Sequence, residues 1–252
     1  MKSKGPRFEI LINGVAKNVI GIPGRGVLCT DIMWLRRSDK VARLDTASET
    51  KQDLENFLSK GLKLDAHASD SVNNVRRSWQ LPKVRVGDSI CFRILQPGKY
   101  TKPKIRKSRR IVVPKPPGGR WPPPVLPMFL HYGPSDQTAS CRFEVSVNEE
   151  ITTTAGIIGS GVVTCGLIWV KRSKTIQKSI DKDPKKRRSQ GFDDENQIRF
   201  EVGGLDSGNG TNVFFRSLDQ SLAIGDEIVI KILPPGPIGQ VNGHMAIPFR
   251  RM

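Results

Sequence analysis

The chain has 252 residues, which suits two domains of ordinary size or one large one. Its 37% hydrophobic content supports a packed core, while 24 Gly and 18 Pro favour short strands and frequent turns over long helices. A net charge of +17 directs attention to polyanions or acidic proteins as partners, and no window approaches the roughly 18 apolar residues that a membrane helix requires.

From the N-terminus, Met1 to Gly5 reads MKSKG, and the next apolar run, Ile10 to Ile12, is far too short for the core of a secretory signal. The expectation is a cytoplasmic protein. Phe8, Ile10 and Ile12 alternate with Glu9 and Asn13, interrupted only by Leu11, which predicts a strand with one apolar face. Gly21, Gly24 and Gly26 invite a phosphate-loop reading, but such loops aim backbone N–H groups and a helix N-terminus at the phosphate. Here no GK[ST] is present and a strand is predicted to follow, so a tight turn is the better reading. The run Val27 to Leu35 is apolar at both phases and predicts a central strand covered on both sides. Thr46 to Glu49, followed by Leu54, Phe57, Leu58 and then Gly61, has the capping box, apolar stripe and C-terminal glycine of a short helix. Leu62 to Leu64 predicts another strand. Val86-Gly87-Asp88 predicts a turn in which Asp88 satisfies local N–H groups, leading into a strand with Ile90, Phe92 and Ile94 on one face.

This pattern then returns. Arg7 to Ser38 aligns without a gap on Arg142 to Ser173, so that RFEILIN matches RFEVSVN and IGIPGRGVLCTDIMWLRRS matches AGIIGSGVVTCGLIWVKRS. Leu62 to Gly98 aligns without a gap on Phe200 to Gly236, where VGDSICFRILQPG matches IGDEIVIKILPPG. The expected fold is mainly β: two tandem homologous small β-barrel or β-sandwich domains, residues 1–98 and 140–236, with a short helix in the first. A basic, proline-rich linker (99–139) joins them and a tail (237–252) follows. The two copies are candidates for an intramolecular pseudo-dimer. In copy two, Lys174 to Gln190 replaces the helix with a polar, basic loop. The blocks resemble an uncharacterised family of small bacterial β-rich proteins with the motif order FEVxVNG, AGIxGxGVLSxxLxWVRR, VGGLDS, VGDExxIxI. Copy one departs at the third motif, with Leu64 to Ser69 reading LDAHAS where copy two has VGGLDS. The resemblance implies these domain boundaries and a bacterial origin, and it implies no activity.

The charge is unevenly placed. Lys99 to Arg120 contains nine Lys/Arg and no acid, and Lys171 to Gln190 contains nine more against Asp181 and Asp183. These two segments hold all but one of the net positive charges. Half of the prolines lie between Lys99 and Ser140, and Pro116-Pro117 and Pro122 to Pro124 favour an extended polyproline conformation. Such a ribbon would display Lys102, Lys104, Arg106, Lys107, Arg109 and Arg110 to a polyanion. Lys171, Arg172, Lys185, Lys186, Arg187 and Arg188 form the second candidate contact, joined by Arg36 and Arg37 at the end of the first central strand. Tyr100 and Trp121 flank the ribbon as candidate platforms for base stacking. Charge runs also serve solubility or meet acidic proteins.

Catalytic chemistry finds little support. Four cysteines (Cys29, Cys91, Cys141, Cys165) contain no CxxC pair, and none of the three histidines (His67, His131, His244) is near a cysteine in sequence. Cys29, Cys91 and Cys165 read as small core residues. Glu9/Glu144 and Asp88/Asp226 recur, but a nuclease needs two or three carboxylates converging on Mg²⁺, and Glu9 sits at the outward phase while Asp88 belongs to a turn. No histidine matches between the copies, which excludes a repeated Ser–His arrangement using Ser69/Ser207. Trp34 and Trp169 read as core, with the Arg/Lys pairs after them exposed. No catalytic residue, cofactor or metal ligand is assigned. The expected function is non-enzymatic nucleic-acid binding with little sequence preference; the alternatives are an interaction module with an acidic protein partner and, less favoured, a metal-dependent nuclease.

Overall fold

The computed structural model describes residues 1–36, 61–71, 73–107, 138–139, 141–156, 161–171, 198–206, 211–218 and 222–237. The strands of the first half are β1 (Arg7–Ile12), β2 (Val15–Ile20), β3 (Gly26–Arg36), β4 (Leu62–Asp70), β5 (Val75–Trp79), β6 (Ser89–Leu95) and β7 (Lys104–Lys107). Those of the second are β8 (Thr138–Ala139), β9 (Arg142–Val147), β10 (Glu150–Gly156), β11 (Gly161–Lys171), β12 (Ile198–Asp206), β13 (Thr211–Leu218), β14 (Glu227–Leu233) and β15 (Gly236–Pro237). No helix is present among the described residues, and none there is long and apolar enough to cross a membrane. The helix predicted between Thr46 and Gly61, and the loop predicted for Lys174 to Gln190, lie outside the described residues.

The strands form two open sheets, in the orders β10-β9-β14-β6-β1-β2 and β13-β12-β11-β3-β4-β5-β7, and a small β15-β8 pair. Neither sheet closes into a barrel. The reason is visible in the pairing: β6 and β3, the strands that would have to close the first half on itself, instead hydrogen-bond to β14 and β11 of the other half. Both sheets therefore cross from one half of the chain to the other.

The registers of those two crossings share one property. Asp31 faces Gly166 in the β3–β11 ladder, and these positions are equivalent in the sequence alignment. Cys91 faces Val229 in the β6–β14 ladder, and these are equivalent as well. On either side the pairs exchange symmetrically, Gly161 with Arg36 and Gly26 with Lys171.

Period-two alternation holds as predicted. Phe8, Ile10, Ile90, Phe92, Ile94, Phe143, Val145, Ile228, Ile230 and Ile232 point inward from the first sheet, each at most 1% exposed. Leu28, Ile32, Val163, Leu167, Trp169 and Phe200 do so from the second, and one contiguous core joins both sets. Burying each such side chain contributes about 1.5–3 kcal/mol. β3 and β11 are central strands, as expected, but only one face of each is fully buried. Cys29, Asp31, Met33 and Leu35 on the other face are half-buried and Val27 is exposed. Gly26 is required where β3 begins: a Cβ there would stand 1.9 Å from the Ser69 carbonyl oxygen, and its φ is +150°.

Two predicted turns form with the expected chemistry, at Gly87 (φ +94°) and Gly225 (φ +104°). Asp88 accepts from the Arg85 N–H at 2.8 Å and Asp226 from the Ala223 N–H at 2.7 Å. Each also accepts from an asparagine amide, Asn13 at 2.9 Å and Asn148 at 3.0 Å. Those asparagines sit at positive φ in the β1–β2 and β9–β10 hairpins, so the same bonds tie each hairpin to the turn before the last strand.

Candidate functional site

Residues 104–107, predicted to lie in an extended linker, are instead the edge strand β7, paired antiparallel with β5. The free edge of β5 would otherwise leave a row of unpaired N–H and C=O groups, and this segment covers them. All four β7 residues are exposed, so Lys104, Arg106 and Lys107 are displayed as the charge pattern suggested, and Lys102 just before them is exposed too. The register sets Arg106 directly opposite Arg76, which is also exposed. Like charges facing each other across a ladder are unfavourable, and no carboxylate neutralises this pair among the described residues.

Arg36 and Lys171 end β3 and β11 at opposite ends of the antiparallel pair, about 33 Å apart at roughly 3.3 Å per residue. The structure does not bring them together. Lys171 instead lines a cleft of about 320 Å³ with Lys4, Gly24 and Arg25. The cross-strand row Lys171, Gly26, Asp70, Val75, Lys107 places this cleft and β7 at the same end of the second sheet, about 19 Å apart at roughly 4.8 Å per strand. Arg37, Arg109, Arg110, Arg172, Lys185, Lys186, Arg187, Arg188 and Trp121 lie outside the described residues.

Tyr100 corrects an expectation. It is 8% exposed and meets Trp79 edge-on, with ring centroids 6.3 Å apart, so its face is not offered to a base. The Trp79 indole N–H, bonded to the Thr101 carbonyl at 2.7 Å, fixes the pair at the point where the chain turns toward β7. Trp34 and Trp169 are core residues, as read from the sequence.

The recurrent carboxylates do not converge. Glu9 lies 3.6 Å from Arg93, which also pairs with Glu227 at 2.5 Å, and Glu144 pairs with Lys231 at 2.9 Å. No protein-family model matches this chain, and no curated protein or solved structure matches it either.

One cluster escaped the sequence reading. Cys29 on β3 faces His67 on β4, and Asp31, two residues along β3, shares their face. The Asp31 carboxylate lies 3.8 Å from the Cys29 sulfur and 3.9 Å from His67 Nδ1. The three donor atoms all fall within 4.8 Å of one another. Asp65 sits opposite Asp31 and is held by Lys63 at 2.5 Å. Burial pushes the Cys29 thiol up to about 12, assisted by the Asp31 charge, and burial also raises Asp31 above the usual carboxylate range. Cys29 and Cys91 are half-buried on outward-facing positions, which corrects their assignment to the core; Cys165 is fully buried. Strict alternation from Leu28 and Ile90 would have shown this.

Proposed function

We propose that the protein binds nucleic acid non-enzymatically through the phosphate backbone, with β7 as the described part of its contact surface. The observation that carries this reading is the collection of cations at one end of the second sheet. Lys104, Arg106, Lys107 and Arg76 line the edge, and Lys4, Arg25 and Lys171 surround the cleft. A phosphate placed between Arg76 and Arg106 would convert a repulsive pair into two charge-assisted contacts. The remaining basic residues of 99–139 and 171–190 extend the same surface in sequence. In this reading the chain is a duplicated unit, copies 1–98 and 140–236, whose equivalent strands meet at Asp31/Gly166 and Cys91/Val229 as a pseudo-dimer, and the protein is cytoplasmic and bacterial.

A salt titration tests it. Binding of a random duplex oligonucleotide to the wild type should weaken steeply with salt, by about 0.9 log units per log of salt for each phosphate neutralised. Lys104→Ala/Arg106→Ala/Lys107→Ala should lower the slope by about 2 to 3, with unfolding unchanged because all three side chains are exposed. No binding at low salt removes the proposal. A second reading, an interaction module for an acidic protein, draws on Ile105, an apolar residue 48% exposed between two cations on an edge strand. It predicts a pulled-down partner that resists nuclease treatment and is lost in Ile105→Asp.

A further inference from the structure

We propose that Cys29, Asp31 and His67 form a binding site for a divalent transition-metal ion of borderline softness, Zn²⁺ foremost, with a fourth coordination position left to water or Asp65. The proposal is independent of nucleic-acid binding.

The donor set points to the metal. One sulfur, one imidazole nitrogen and one carboxylate oxygen suit Zn²⁺ or Co²⁺, whereas Mg²⁺ and Ca²⁺ demand oxygen ligands. Tetrahedral bonds of about 2.0 Å to N and O and about 2.3 Å to S set these donors roughly 3.3–3.5 Å apart. The distances of 3.8 and 3.9 Å, and the 4.8 Å limit on the third, require closures of about 0.3 Å, about 0.6 Å and at most about 1.3 Å. His67 is free to make that movement, since its side chain is 48% exposed. The other two ligands stand two residues apart on one face of a central strand, and hydrogen bonds on both sides hold that strand.

The surroundings agree. Asp65 and Glu201 both act electrostatically on Cys29, and Lys63, the nearby cation, is engaged by Asp65. The facing position across the ladder is Gly166, which has no side chain to stand beside Asp31; a Cβ there would come within 3.7 Å of the Asp31 Cβ. The fold does not call for this set of residues, because the equivalent positions of the second half are Thr164, Gly166 and Leu205. On binding, the Cys29 S–H bond breaks, its proton passes to solvent, and the sulfur electron pair forms the S–metal bond.

Co²⁺ is the probe. Added to the full chain after treatment with chelator, it should bind at one equivalent and give a thiolate-to-metal charge-transfer band with tetrahedral visible bands. Zn²⁺ should bleach both, being the tighter ion. Cys29→Ser should abolish the charge-transfer band, and His67→Ala should weaken binding at least tenfold. Cys91→Ser, a thiol beside Glu227 on the other sheet, should leave the spectrum intact. A wild-type spectrum without the band at millimolar Co²⁺, or a band that survives Cys29→Ser, overturns the proposal. Circular dichroism of each variant separates loss of the site from loss of the fold.

Discussion

The two halves of the chain supply strands that align in sequence to the same two sheets, yet two groups of polar side chains occur in the first half alone. The first half has the Cys29–Asp31–His67 cluster and an ion pair between Asp70 and Arg77, at 0% and 6% side-chain exposure and 2.8 Å apart. The second half has Thr164, Gly166 and Leu205 at the cluster positions, and Gly208 and Phe215 where the alignment puts Asp70 and Arg77. What the halves share is the machinery of folding: inward-facing alternation, the glycine turns, and the Asn–Asp bonds. Change in one half is tolerated as long as the common core is kept, because core volume and strand register set most of the stability. The polar additions are thus read as properties of one half rather than requirements of the fold.

The largest expected effect breaks the asymmetry at Asp70. Asp70→Ala strands the Arg77 guanidinium in the core, where its Nε and Nη1 already have no hydrogen-bond partner among the described residues. Urea unfolding should show a loss of about 3–5 kcal/mol. Adding Arg77→Met, which removes the charge as Phe215 does in the other half, should recover much of it; a double variant no more stable than Asp70→Ala would contradict the comparison.

Next come the shared turns. Asp88→Ala removes two hydrogen bonds and should cost about 1–2 kcal/mol, with Asp226→Ala costing less because that turn is more exposed. The bond from Asn13 is the first cause of the lowered Asp88 pKa, followed by the backbone bond from Arg85 and the Arg85 charge, against an opposing burial effect. A carboxylate with a lowered folded pKa contributes stability above its ordinary pKa of 3.8, and that stability is lost as pH falls through the lowered value. Stability followed from pH 6 to pH 2 should therefore fall less steeply in Asn13→Ala than in the wild type.

The smallest effect has the opposite sign. Burial raises the Asp31 pKa, so ionised Asp31 is a net cost to the metal-free fold at neutral pH. Asp31→Asn should unfold at slightly higher urea than the wild type at pH 7, and the difference should vanish below the ordinary carboxylate pKa, where both side chains are neutral. With saturating Zn²⁺ the order should reverse, because only the wild type has its carboxylate ligand. An unchanged order with Zn²⁺ would count against the site.

Much of the strand content was legible in the residues. Phe8/Ile10/Ile12 and Ile90/Phe92/Ile94 declare their buried face by alternation, and Gly87 with Asp88 declares a turn whose hydrogen bonds are local. Asn13-Gly14 was an equally strong hairpin signal, and following it would have revealed β2. The cation surface is legible as composition but not as shape: what makes Lys104–Lys107 a strand is its pairing with β5, which lies well before it in the chain. The cluster was illegible for a related reason. Cys29 and His67 are far apart along the chain and meet only across the β3–β4 ladder, so no ligand spacing in the sequence marks them.

The amino-acid sequence by itself determined the inward face of most strands and the location of the charge, because each depends on side-chain chemistry within a few residues. Tertiary structure alone decided that β3 joins β11 and β6 joins β14, that Asp31 faces a glycine, and that a thiol, a carboxylate and an imidazole share one outer face. Those outcomes depend on the register between strands distant in sequence, and register is set when two whole apolar faces dock together rather than by the preferences of any one segment.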